Sequence, residues 1–187
     1  MKFIGIAGKA GSGKTTAALF IGKVLGEGVA NLAFADPLKK ACSILTDIPE
    51  SVFHPADSRG REYREKTNEF WGFSPREFLQ KVGTDCMRDT VCKDFWVKRA
   101  HITVESLDPE MYHTVIFSDV RFQEELDFIR NKGGKVLYLT RIAESYNSTT
   151  HTSDNQNLIA ECDYVINGNS SLKFLHSELE LFLQKYL

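Results

Sequence analysis

A glycine-rich run near the start of the chain has the spacing of a phosphate-binding loop. Residues 8–15 read Gly-Lys-Ala-Gly-Ser-Gly-Lys-Thr and satisfy the P-loop pattern, in which backbone N–H groups surround phosphate oxygens at the start of a helix. We expect Lys14 to contact the β- and γ-phosphates of ATP, and the Thr15 hydroxyl to bind Mg²⁺. The predicted nucleotide-binding residues are Gly8, Lys9, Ala10, Gly11, Ser12, Gly13, Lys14, Thr15 and Thr16.

Two aspartates follow apolar runs and are candidates for further ligands. Asp119 follows the run 114–118, where a carboxylate can hold Mg²⁺ in P-loop enzymes. Asp36 follows the run 29–35 and precedes a proline that can begin a helix, so it is either a substrate ligand or the cap of that helix. A helix cap is also the alternative for Asp119.

Three arginines lie near the predicted ends of elements, where they could bind phosphate. Arg88, Arg121 and Arg141 are too widely spaced to form one solvated helix face. Guanidinium groups bind phosphate with two parallel hydrogen bonds, so we expect these three, with Lys14, to be catalytic. A surface salt bridge is the alternative for each of them.

Strand and helix patterns alternate along the chain and must position these residues. Strands are predicted at residues 2–7, 29–35, 114–118, 135–140 and 164–166. Helices are predicted at 15–25, 37–44, 74–87, 95–106, 123–131 and 171–186, and a polar stretch at 46–72 has no clear pattern. We therefore predict an α/β, three-layer P-loop fold whose mostly parallel five-stranded sheet, in the order 2-3-1-4-5, has helices on both faces.

Composition limits the partners of the protein. The chain has 187 residues, of which 42% are hydrophobic and 26% charged, as expected of a single folded domain. The net charge of -2 gives no broad basic field, so we expect no nucleic-acid partner. No apolar run approaches the ~20 residues that cross a bilayer, so we expect no membrane partner and a cytoplasmic location.

Several segments together resemble the phage-type deoxynucleoside monophosphate kinases, within the nucleoside monophosphate kinase group. The segments are the P-loop, residues 34–39, residues 74–85, Arg88-Asp89, residues 94–96, residues 118–122 with Glu124 or Glu125, and residues 162–167. The resemblance spans nearly the whole chain. It implies a kinase that moves the γ-phosphate of ATP to the 5′-phosphate of a deoxynucleotide, with Mg²⁺ as cofactor, in the host cytoplasm if the gene belongs to a phage.

The resemblance also implies an organisation of the chain and its site. One P-loop kinase domain, 1–187, would carry a substrate-binding insertion at about 46–106 and a lid-like segment at about 141–157. The sequence does not decide between a monomer and a homodimer. Arg141 would lie near the lid and Asn167 near the adenine. The lid has no further arginine, so Arg61, Arg64 and His151 are candidates to complete the charge. The other expected monophosphate ligands are Asp36, Lys39, Gln80, Arg88, Trp96, Asp119 and Arg121.

Two alternatives remain at this stage. A kinase similar to dephospho-coenzyme A kinase would share the P-loop and the C-terminal strand, but its hydroxyl acceptor would need a general base such as Asp36. A nucleotide-dependent switch would instead hydrolyse ATP in response to a macromolecular partner. The arginines of the middle section favour a phosphate acceptor.

Overall fold

The computed structural model describes residues 1–55, 57–140 and 158–187. The strands are β1 (Lys2–Gly8), β2 (Val29–Leu32), β3 (Thr114–Val120), β4 (Lys135–Thr140) and β5 (Tyr164–Asn167). The helices are α1 (Lys14–Leu25), α2 (Asp36–Thr46), α3 (Glu50–Phe53), α4 (Ser58–Glu65), α5 (Pro75–Gln80), α6 (Phe95–Glu105), α7 (Gln123–Asn131) and α8 (Leu172–Tyr186). A π-helical segment, Lys81–Val91, continues α5, and a 3₁₀ turn, Ile159–Glu161, precedes β5.

The chain divides into two compact units. The first, which we call the sheet unit, comprises Met1–Phe34 and Ala100–Leu187. The second, the helical unit, comprises Ala35–Arg99. Among the described residues, no helix is both long and apolar enough to span a bilayer.

The sheet unit is built on five parallel strands in the order β2-β3-β1-β4-β5, which confirms the predicted topology. Successive side chains of a strand point to opposite faces of the sheet, so Ile4 and Ile6 of β1 lie on the same face. There they pack in a core that they share with α1 and α8. Gly5 lies on the opposite face, where an added Cβ would be only 2.7 Å from Cδ1 of Ile129 on α7. Helices therefore cover both faces, and a glycine allows the close approach of α7.

Four predicted strand ends differ from those observed. Strand β1 continues one residue further than predicted, to Gly8. The predicted strand 29–35 is too long, because pairing with β3 ends at Leu32 and Phe34 instead stacks on Phe117, with ring centroids 4.4 Å apart. Strand β3 is longer than predicted because Val120 still pairs with Ala7 after a register shift, so Asp119 lies within the strand and not after it. Asn167 is likewise the last residue of β5.

The helical unit contains more regular structure than the sequence indicated. The polar stretch 46–72 holds α3 and α4, and the buried Phe53 ties α3 to a small apolar cluster with Leu38 on α2. Helix α5 begins at the predicted capping box, in which Ser74 Oγ accepts from the Glu77 N–H at 3.2 Å. The helical path then continues in π form to Val91, past the predicted end at residue 87.

Candidate active site

The glycines of the phosphate-binding loop adopt backbone conformations that other residues rarely take. Gly8, Gly11 and Gly13 have φ of 143°, 78° and 96°. At Gly8 an added Cβ would lie 2.6 Å from the Leu139 carbonyl oxygen on β4, so the position has no room for a side chain. At Gly11 and Gly13 an added Cβ would meet nothing within 4 Å, so these two positions border open space. The glycines at these two positions therefore leave the backbone accessible, as close approach of phosphate requires.

Lys14 and Ser12 place polar groups in this loop. The Lys14 ammonium donates to the Gly8 carbonyl at 2.7 Å and to the Lys9 carbonyl at 2.8 Å, which holds it over the loop. Ser12 Oγ is buried and has no hydrogen-bond partner among the described residues. Thr15 and Thr16, in the first turn of α1, are exposed. This donor-rich helix start suits an anionic ligand.

Asp119 lies near the C-terminal end of β3 and is fixed by the neighbouring chain. Its Oδ1 accepts the Phe34 N–H at 2.8 Å, and the Ser118 hydroxyl donates to the Leu32 carbonyl at 3.4 Å. These bonds fasten the end of β3 to the segment that follows β2. The Phe34 N–H therefore holds the carboxylate at this end of the strand.

Glu125 is a buried carboxylate beside Asp119 that the sequence did not single out as a site residue. Its Oε2 accepts from the Arg121 N–H at 2.7 Å and the Phe122 N–H at 3.1 Å, which caps the start of α7. Burial first, and then the charge of Asp119, raises the pKa of Glu125 to about 8, although both backbone hydrogen bonds oppose the shift. A glutamate three residues into a predicted helix is the signal that could have indicated this capping role.

Two side chains of the sheet unit carry oxygen donors of the kind that magnesium prefers. Mg²⁺ prefers hard oxygen donors and is usually held by one or two carboxylates together with substrate phosphates. The exposed Thr15 hydroxyl and the Asp119 carboxylate supply such donors. Among the described residues, no group of three or more His, Cys, Asp and Glu side chains is arranged to hold a metal ion.

In the helical unit, Asp36 and Lys39 form an ion pair on the first turn of α2. The Lys39 ammonium lies 3.3 Å from Asp36 Oδ1. The helix begins at Asp36 itself, and Ala35 takes the N-cap position, so the alternative that Asp36 is the N-cap residue is wrong. His54 also contacts this pair, through Nδ1 at 3.3 Å from the Lys39 ammonium. The sequence analysis did not identify His54.

Arg88, Gln80 and Trp96 lie on the helices of the middle section. Arg88 is buried on the π-helical segment, where its guanidinium donates to the Asp89 carboxylate. Gln80 is half-buried at the last position of α5. The Trp96 indole N–H donates to the Gly83 carbonyl at 2.8 Å, so it fastens α6 to the π-helical segment.

The remaining predicted site residues lie on α4, on β5 and in the segment 141–157. Arg61 is exposed on α4, and Arg64 on the same helix lies 3.5 Å from Glu65, which also pairs with Arg76 at 3.2 Å. Asn167 is exposed, and its Oδ1 accepts from the Asn169 N–H at 3.1 Å. Arg141, His151 and the segment 141–157 lie outside the described residues.

Similarity to known proteins agrees with this arrangement. A family model described as deoxynucleotide monophosphate kinase matches residues 52–179. A protein of Acanthamoeba polyphaga mimivirus that is named as a deoxynucleotide monophosphate kinase is 32% identical over 188 aligned positions, which cover 96% of this chain and 94% of that protein. The deoxynucleotide monophosphate kinase of Enterobacteria phage T4 is 28% identical over 108 positions, which cover 58% of this chain and 44% of that protein.

Solved structures show the same fold at low identity. The shikimate kinase of Aquifex aeolicus has a TM-score of 0.52 at 14% identity, covering 97% of this chain and 96% of that chain. The protein TT1252 of Thermus thermophilus has a TM-score of 0.52 at 17% identity, covering all of this chain and 98% of that chain. The chain is thus a phosphotransferase with a P-loop kinase fold, and it belongs to the deoxynucleotide monophosphate kinase family.

Proposed function

We propose that the protein transfers the γ-phosphoryl group of ATP to the 5′-phosphate of a deoxynucleoside monophosphate, which yields ADP and the deoxynucleoside diphosphate. The observation that carries the proposal is a complete P-loop, with Lys14 held over it, in a chain whose residues 52–179 match the deoxynucleotide monophosphate kinase family. Such a reaction would supply precursors for DNA synthesis.

On the donor side, the phosphates of ATP bind to the loop 8–15. Backbone N–H groups and the Lys14 ammonium neutralise the charge on the β- and γ-phosphates, and Asn167 lies near the adenine. Thr15 and Asp119 would hold Mg²⁺, which supplies further charge neutralisation when it is bound. The fixed position of Asp119 and the exposure of Thr15 support this assignment.

On the acceptor side, the helical unit supplies most of the monophosphate ligands. The compact unit Ala35–Arg99 supports the proposal of a substrate-binding insertion at about 46–106. We also propose a lid at about 141–157. The proposed ligands are Asp36, Lys39, Arg61, Arg64, Gln80, Arg88, Trp96, Asp119, Arg121 and His151. Five of these are cations at neutral pH, as recognition of an acceptor phosphate requires.

The chemical step needs positioning and charge neutralisation more than a base. The acceptor is a phosphate that is already ionised near neutral pH, and the moving phosphoryl group spreads its charge over three oxygens. Lys14, Arg88, Arg121 and Arg141 are the groups we assign to that charge. The buried Glu125 holds the backbone of Arg121 at the start of α7 and so supports one of them.

An acceptor panel tests the proposal. ADP formation from Mg·ATP would be measured with each of the four common deoxynucleoside monophosphates, and the products identified by chromatography. Ribonucleoside monophosphates, dephospho-coenzyme A and no acceptor are the controls. We expect deoxynucleoside diphosphate with at least one base and no phosphorylated dephospho-coenzyme A. Turnover with dephospho-coenzyme A alone, or hydrolysis that ignores every acceptor, would reject the proposal.

A further inference from the structure

A histidine outside the predicted site lies at the centre of a charged network in the helical unit. His54 directly follows α3, and its backbone N–H donates to the Glu50 carbonyl at 3.1 Å. The residue before it, Phe53, is buried in the apolar cluster that joins α3 to α2. This anchor brings the His54 ring to the first turn of α2, where Asp36 and Lys39 form their ion pair.

The contacts of the ring determine which nitrogen carries the proton. Nδ1 lies 3.3 Å from the Lys39 ammonium, and an ammonium can only donate, so Nδ1 must accept. The proton of the neutral ring is therefore on Nε2. That atom lies 3.5 Å from Glu50 Oε1 and 3.8 Å from Asp36 Oδ1, so it faces two carboxylates. The neutral ring thus matches its neighbours on both sides.

We propose that His54 is a positioning residue, whose neutral ring holds the Lys39 ammonium, together with Asp36, in the orientation that binds the acceptor phosphate. This inference rests on the proposed function, because it assigns Lys39 to the monophosphate. Lys39 is shielded, with 19% of its side chain exposed, so it has fewer alternative orientations than a surface lysine. Two contacts, one ionic and one neutral, leave the remaining N–H donor for a ligand.

The network also predicts how acid changes phosphate binding. The charged groups that face His54 are Asp36, Lys39 and Lys40 of α2 and Glu50 of α3. Burial first, and then the charge of Lys39, lowers the pKa of His54 below its ordinary value of 6.5. Protonation of His54 would place a proton on Nδ1, so that a charged ring with an N–H would face the Lys39 ammonium and repel it. Monophosphate affinity is therefore present above the pKa of His54 and is lost as pH falls through it.

Kinetics of substituted proteins test the positioning role. At about pH 8, His54→Leu should raise KM for the monophosphate about tenfold, and leave kcat and KM for ATP unchanged, because one acceptor of a charged group is lost. His54→Asn should restore KM, since its amide oxygen can accept from Lys39 in place of Nδ1. The matched control is His101→Asn, at an exposed histidine of α6, which should change none of these constants.

A ratio of KM values isolates the titration of His54 from that of the substrate. The phosphate of the monophosphate itself titrates near pH 6, so KM of every variant will depend on pH. Dividing wild-type KM by that of His54→Asn at the same pH removes this common dependence. We expect a ratio near one at about pH 8 and a severalfold rise toward about pH 5.5. A constant ratio would overturn the inference.

The outcomes separate the inference from the proposed function. If the wild type forms no diphosphate, the proposed function fails, whereas an active wild type with normal KM in His54→Leu overturns only the inference. Nitrogen-15 NMR of the wild-type ring gives a readout that needs neither activity nor a folded variant. We expect the tautomer with its proton on Nε2, and a proton on Nδ1 of the neutral ring would contradict the network.

Discussion

The candidate donor residues of the sheet unit and the Asp36–Lys39 pair of the helical unit are held in place by different means. In the sheet unit the backbone holds them: Lys14 is held by loop carbonyls, and Asp119 by the Phe34 N–H. In the helical unit side chains hold one another, as in the contacts of Lys39 with Asp36 and His54. The first arrangement depends on φ angles and strand register, and the second on rotamers and protonation.

This difference teaches where each half of the proposed reaction is vulnerable. Backbone groups do not titrate, and their arrangement in a loop depends on the φ angles that glycines allow. A site made of ionisable side chains responds to pH and can be altered by one substitution. The donor side should therefore be sensitive to backbone conformation as well as to the loss of Lys14, and the acceptor side to the charge and protonation of its side chains.

The largest effect is expected at Lys14, whose ammonium is held over the phosphate-binding loop. Lys14→Ala should lower kcat/KM by about 10³-fold, because it removes the ammonium group that the loop carbonyls hold where the β- and γ-phosphates are expected to bind. Steady-state kinetics would measure it, with Lys23→Ala, at the end of α1, as the control. Near-normal activity of Lys14→Ala would mean that the loop does not bind the reacting phosphates.

Arg88→Ala tests the acceptor side. Removing a guanidinium that contacts phosphate should lower kcat/KM for the monophosphate by about 10²-fold and leave KM for ATP unchanged. The exposed Arg59 provides a control of the same chemistry, and Arg59→Ala should retain normal constants. Equal losses for both substrates would show that Arg88 supports the fold and not the acceptor, which would weaken the comparison between the units.

A pair of glycine variants sharpens the claim about the backbone. Gly8→Ala adds a Cβ 2.6 Å from a β4 carbonyl oxygen, whereas Gly11→Ala adds one in open space at a φ of 78°. The second carries only the strain of the left-handed conformation, about 1 kcal/mol. We expect Gly8→Ala to reduce the free energy of unfolding by about 2 kcal/mol more than Gly11→Ala in urea titrations. Equal losses would contradict the close contact.

The raised pKa of the buried Glu125 should affect the free energy of unfolding. Because the pKa of Glu125 is raised to about 8, the folded state keeps a proton that the unfolded state loses above its ordinary pKa of 4.5. The free energy of unfolding should therefore decrease as pH rises through this window, by at most ~1.4 kcal/mol per pH unit for one group. Urea titrations without Mg²⁺ should show the slope in the wild type but not in Glu125→Gln. The same slope in both would reject this origin.

The sequence predicted the sheet unit far better than the helical unit. Its parallel sheet follows from the alternation of strand and helix patterns, and its P-loop from a buried strand, a glycine loop and a helix that are neighbours in the chain. The end of β2 was wrong because Phe34 is apolar like a strand residue but packs on Phe117 outside the ladder. Periodicity reports burial and does not report backbone pairing.

The helical unit was harder because its contacts join residues that are distant in sequence and polar in character. Helix α3 has four residues, too few for any periodic signal, and its place depends on Phe53 reaching Leu38. The contact of His54 with Lys39 spans 15 positions and follows from that packing. No local sequence pattern indicates such a pair. The sequence analysis therefore identified Asp36 and Lys39 but did not identify His54.

Tracing the transferred group tests the central claim most directly. The protein would be incubated with Mg²⁺, ATP labelled at the γ-phosphate and a deoxynucleoside monophosphate that the panel shows to be accepted, and the labelled products separated. We predict that the label appears in the β-phosphate of the deoxynucleoside diphosphate. Label only in inorganic phosphate would contradict phosphoryl transfer to a nucleotide and would instead indicate an ATPase.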